Sequence, residues 1–120
     1  MAQKNVLGGD LELCCAAPMT GYFRDGHCHT DASDVGSHTV CVRVTDAFLA
    51  FSKRTGNDLS TPQPGFPGLK AGDQWCLCAS RWETAFINGA APRVVLAATN
   101  ARALEVLELN ELKAHALDLN

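Results

Sequence analysis

Turn-forming residues crowd the first third of this chain and leave no window there in which a helix or long strand can run. Gly8-Gly9-Asp10, Pro18-Met19-Thr20-Gly21, Asp25-Gly26 and Asp31-Ala32-Ser33-Asp34 follow one another at short intervals. Glycine supplies left-handed backbone and proline removes a donor, so this stretch reads as short extended pieces joined by tight turns. Regular structure must therefore come from the remainder. His38-Thr39-Val40-Cys41-Val42-Arg43-Val44 alternates with Val40, Val42 and Val44 on one face, which predicts a strand. Thr45 caps a following helix that carries Asp46 in its first turn, Phe48 and Phe51 on its apolar side, and Gly56 at its end.

Thr61-Pro62-Gln63-Pro64-Gly65-Phe66-Pro67-Gly68 is excluded from regular structure by its three prolines. Gln74-Trp75-Cys76-Leu77-Cys78 reads as a second strand. Ser80-Arg81-Trp82-Glu83 has capping-box spacing and opens a helix to about Asn88-Gly89, with Trp82, Ala85 and Phe86 inward. Arg93 to Ala97 forms another strand, a short helix starts at Thr99 or Asn100, and Asn110 caps a last helix in which His115 is solvated. Strands alternate with helices in the second half only. That pattern predicts a single α+β domain with a small mixed or antiparallel sheet, and residues 1–4 as a flexible tail.

A chain of 120 residues, 47% of them apolar, can bury a core without metals or disulfides. Net charge is −3 with no Lys/Arg cluster, which excludes nucleic-acid binding through phosphates and a lipid-seeking basic segment. No stretch approaches membrane-spanning length, and the N-terminus lacks the apolar run of an export signal. The expected compartment is the cytoplasm, where thiols stay reduced. The six cysteines (Cys14, Cys15, Cys28, Cys41, Cys76, Cys78) are accordingly expected as free thiols or metal ligands.

Three constellations can carry chemistry. Cys28, His38, Cys41, Cys76 and Cys78 are of the types that zinc prefers, although C-x2-4-C spacing is absent; the plain alternative is cysteines buried as small hydrophobes. Zinc is the one cofactor these residues suggest. A thiol catalyst could be drawn from Cys41 with His38, or Cys28 with His27 or His29, but residues three apart on a strand face opposite ways. Arg24, Asp25, Asn57, Asp58, Arg81 and Trp82 fall at element ends or turns, where a small polar or anionic ligand can be held. Against that, Asn57-Asp58 can serve only a turn, Arg81 can pair with Asp25 or Asp73, and Trp82 can be core. Nucleotide-binding glycine motifs, H-E-x-x-H and G-x-S-x-G are absent.

Asn5-Val6-Leu7-Gly8, Thr20-Gly21-Tyr22-Phe23-Arg24-Asp25-Gly26, Gly36-Ser37-His38-Thr39-Val40-Cys41, Gly56-Asn57-Asp58-Leu59-Ser60-Thr61-Pro62, Phe66-Pro67-Gly68-Leu69 and Gly72-Asp73-Gln74-Trp75-Cys76-Leu77-Cys78-Ala79-Ser80-Arg81-Trp82 come in order along almost the whole chain. The series resembles a family of small bacterial proteins called domain of unknown function 2237. The resemblance implies a bacterial, single-domain, cytoplasmic protein and no particular activity. The family reads Asp-Gly-Cys-Cys-Asn-Thr where this chain has Asp25-Gly26-His27-Cys28-His29-Thr30, its proline loop is a little longer, and it carries His where this chain has Asn100.

These readings converge on a binding module that holds a small polar ligand or a metal ion near the Cys-rich strand. The alternatives are a small enzyme using a thiol or metal-activated water, and an assembly protein without a pocket. The partner the composition allows is a small molecule.

Overall fold

A computed structural model of the chain describes residues 3–119. Two strand–helix units form its frame. The valine alternation becomes β1 (His38–Arg43), and Thr45 caps α1 (Asp46–Arg54) by accepting the Phe48 N–H at 3.1 Å. The second unit is β2 (Gln74–Cys78) running directly into α2 (Ala79–Ile87). β3 is short (Arg93–Val94), and two 3-10 turns at Leu96–Ala98 and Ala101–Glu105 precede α3 (Leu109–Ala114). The sheet order is β2-β1-β3, antiparallel throughout, so the chain is a compact single α+β domain. No helix among the described residues is long and apolar enough to cross a membrane.

One face of the sheet builds the main core. Val40, Val42 and Val44 meet Phe48, Leu77, Trp82, Val94, Leu96 and Leu112, all essentially without solvent exposure. On the other face Cys41 and Cys76 are register partners, and the irregular first third folds across them. That segment has no strand of its own among the described residues and is held by turns and side chains. Asn5, for example, accepts the N–H groups of Leu7 and Gly9 and donates to Ala97 O.

Several local expectations are corrected. Cys78, not Ser80, is the N-cap of α2; the strand passes straight into the helix, and the Ala79 N–H is taken by Ser37 O at 3.0 Å, so the capping box does not form. The strand expected to run to Ala97 stops at Val94. Asp118 Oδ1 and Oδ2 accept the N–H groups of Leu96 and Ala97, and the chain coils instead of pairing. Glu108 rather than Asn110 is the N-cap of α3. His115, expected to be solvated, is only partly exposed and packs its ring against Trp82 and Phe86, with centroids 5.5 and 5.4 Å away. Gln3 and Lys4, read as a tail, are bonded: Gln3 donates to Thr30 O, and Lys4 pairs with Asp10 at 2.7 Å. Met1 and Ala2 lie outside the described residues.

Candidate functional site

The site begins with an irregularity in β1. Cys41, Val42 and Arg43 pair in step with Cys76, Trp75 and Gln74, but between His38 and Val40 the register slips by one residue. Such a bulge re-aims the side chains beyond it. It sets His38 directly opposite Cys78, and His38 Nε2 lies 3.2 Å from Cys78 Sγ. Ser37, immediately before, holds φ 51°, a left-handed conformation that is costly for a residue with a side chain and clusters at functional sites.

The other imidazole nitrogen, Nδ1, is 2.7 Å from Asp34 Oδ1. The Asp34 side chain has no solvent exposure; its Oδ2 accepts the Thr30 hydroxyl and the His38 backbone N–H, both at 2.9 Å. Sulfur, imidazole and carboxylate therefore form one hydrogen-bonded chain. Gly36 passes so close that a Cβ there would lie 3.1 Å from Cys78 Sγ and 3.0 Å from His38 Cε1. Tyr22 stacks its ring 6.0 Å from that of His38.

The electrostatics follow from these contacts. The bond to Cys78 first, and the bond to Asp34 with it, raise His38 to about 9 against the opposing effect of burial. Burial pushes Asp34 up, but the hydrogen bonds from His38 and Thr30 outweigh it and hold the carboxyl below its ordinary value. Cys78 also sits at the N-terminus of a nine-residue helix, whose first-turn N–H groups favour negative charge.

The pair opens on a cleft of about 300 Å³ lined by Arg24, Asn57, Leu59, Trp75, Leu77 and Arg81 together with His38 and Cys78. Two cations border it. Arg24, at φ 55°, donates to Gly21 O at 2.7 Å and lies over the Trp75 ring at 5.1 Å. Arg81 donates to Thr55 O at 3.0 Å. Among the described residues neither guanidinium has a carboxylate partner.

Of the six residues expected at a ligand site, the structure gathers Arg24, Asn57 and Arg81 into this cleft. Asp25 points elsewhere, bonding His29 at 2.7 Å. Asp58 serves the turn after α1: its Oδ1 accepts from Ser60 and Thr61, which draw its pKa down to about 2. Trp82 is fully buried, donating its indole N–H to Pro92 O.

The five expected metal ligands divide into two groups: Cys28, Cys41 and Cys76 gather in one buried cluster, where the Cys28 and Cys41 sulfurs lie within 4.8 Å of each other and of Cys14, and His38 and Cys78 pair apart from it. Only His38 and Cys78 reach the cleft, while Cys28, Cys41 and Cys76 are buried in disulfides, Cys14–Cys41 and Cys28–Cys76. This corrects the expectation of free thiols. The first third lies on the Cys41/Cys76 face of the sheet, so Cys41 meets the sulfur of Cys14 and Cys76 that of Cys28. Cys15 and Cys78 stay free. Asp34, Gly36 and Tyr22 were missed; the findable signal was Asp34 four residues before His38, with a cysteine at a strand–helix junction.

No curated protein matches the chain. Residues 4–116, which include every group in the cleft, match the model of a family described as "Uncharacterized protein conserved in bacteria (DUF2237)", and the chain belongs to that family.

Proposed function

We propose that the protein is a cysteine-dependent acyl-transfer or hydrolytic enzyme acting on a small anionic substrate. The observation that carries this reading is the continuous bond chain Cys78 Sγ–His38–Asp34 lining a cleft with two arginines that have no carboxylate partner among the described residues. An imidazole in reach of a sulfur, itself oriented by a carboxylate, is the arrangement that activates a nucleophile. Cys78 attacks a substrate carbonyl as the thiolate, forming a carbon–sulfur bond. The departing group takes the proton held on His38 Nε2 as its bond to the carbonyl carbon breaks. Water or a second acceptor then attacks the thioester, giving its proton back to His38 and freeing the sulfur. Asp34 fixes the ring and favours its charged form, and the N-terminus of α2 favours the negative charge that develops beside it. Arg24 and Arg81 select substrates that carry a carboxylate or a similar anion.

The cytoplasm is the proposed place of action, since a nucleophilic thiol is kept reduced there. The buried disulfide sulfurs have little access for exchange.

p-Nitrophenyl succinate and p-nitrophenyl acetate test the reading as anionic and neutral acyl donors. Mass spectrometry is expected to find an acyl group on Cys78, formed faster from the succinate ester. Cys78→Ala abolishes the adduct, and Arg81→Gln slows the succinate reaction more than the acetate one. Acylation of Cys15 and Cys78 at the same rate, unaffected by His38→Gln, would refute the proposal. The binding-module alternative shares this cleft; succinate binding that survives in Cys78→Ala without any turnover in the wild type would favour it.

A further inference from the structure

A second cluster lies outside the cleft. Asp25, His27 and His29 each present one ligand atom, and the three atoms lie within 4.8 Å of one another. We propose that these residues bind a divalent transition-metal ion of the zinc type.

The backbone builds this cluster. Gly26 turns the chain at φ 85°, where a Cβ would strike Leu13. Cys28 then points inward, fully buried and bridged to Cys76. In extended chain the neighbours of an inward residue point outward together. His27 and His29 do so, their rings 5.0 Å apart and within 12° of parallel. Asp25 is anchored beside them: its Oδ1 accepts the His27 N–H at 3.1 Å, and its Oδ2 lies 2.7 Å from His29 Nδ1.

Zinc bonds to nitrogen and oxygen are ~2.0–2.2 Å, so the donors of a tetrahedral set sit roughly 3.4 Å apart. Small side-chain rotations close the remaining gap, and the proton between Asp25 and His29 leaves as the metal enters. The Cys28 sulfur is engaged in its bridge, so the donor set is two imidazoles and a carboxylate. That set suits zinc, nickel or copper(II), and it leaves coordination room for water. The site uses none of the groups assigned to the thiol chemistry, so the two proposals stand or fall separately.

Zinc chloride titrated calorimetrically into the oxidised Cys78→Ser protein tests the site, because that variant removes the cleft thiol as a competing ligand. One equivalent is expected to bind, with NMR shifts at the imidazoles of His27 and His29 and none at His115. His27→Gln and His29→Gln should each weaken binding by more than the about tenfold that loss of an outer-shell partner costs, and Asp25→Asn should weaken it measurably. Absence of zinc binding at micromolar concentrations overturns the proposal. So does an affinity unchanged in a His27→Gln/His29→Gln double variant whose circular dichroism is that of the parent.

Discussion

His38 couples the site to pH through its two partners. Its folded pKa, about 9, lies above the ordinary 6.5, so the fold favours the charged ring. The stabilisation from this group is complete below about pH 6.5 and is lost as pH rises through about 9. Asp34 works in the opposite sense: its contribution is present above the ordinary 3.8 and disappears as pH falls through its lowered value. The wild-type melting temperature should therefore fall between pH 6.5 and 9 relative to that of His38→Gln. Parallel melting curves for the two proteins across that range would contradict the assignment. Gly36 offers a second test at the same scale. An alanine methyl there meets the sulfur at 3.1 Å and the imidazole at 3.0 Å, a contact tight enough to push the pair apart. Gly36→Ala should slow iodoacetamide alkylation of Cys78 while leaving the fold intact by circular dichroism. An unaltered rate would mean that the pair tolerates the added carbon.

Among the elements, three are where periodicity and local capping put them. β1, α1 with its Thr45 cap, and β2 each follow from alternation or a local hydrogen bond that neighbouring residues settle by themselves. What escaped reading depends on distant chain. Ser80 loses the cap because Ser37, just before the neighbouring strand β1, satisfies Ala79. The His38–Cys78 pair stayed hidden because strict alternation, applied to an unbulged strand, turns the two away from each other. The sulfur pairing escaped for a third reason: composition argued about compartment, whereas bond formation depends on which sulfurs the turns bring together. With two bridges, native protein should show two titratable thiols, Cys15 and Cys78, and six after reduction in denaturant. Six before reduction would remove the bridges. Replacing Cys28 and Cys76 together by alanine should cost about 2–5 kcal/mol in urea unfolding.

At the scale of the whole molecule, the three helices and the valine face of the sheet share one core centred on Trp82. Its ring stacks on Phe86 at 5.3 Å, and His115 of the chain's last turn closes over both. Truncation of Trp82 to alanine should cost about 3–5 kcal/mol by denaturant titration, the range for a large aromatic removed from a sealed interior. A loss under 1 kcal/mol, roughly that of a surface substitution, would show that this core is not the one that holds the domain. The two halves were unequally legible. The second half carries its own periodicity, whereas the first is specified mainly by turns and by what it lies on.

The two sulfur bridges divide structure from competence. Helices and sheet belong to residues 38–114, while Asp34 and Arg24 arrive on the segment that those bridges fasten. A batch purified with its bridges open should show nearly the same far-ultraviolet spectrum as an intact one, while the segment that carries Arg24 and one wall of the cleft is no longer fastened to the sheet by sulfur. A negative assay therefore means little until the oxidation state of the sample has been established by mass.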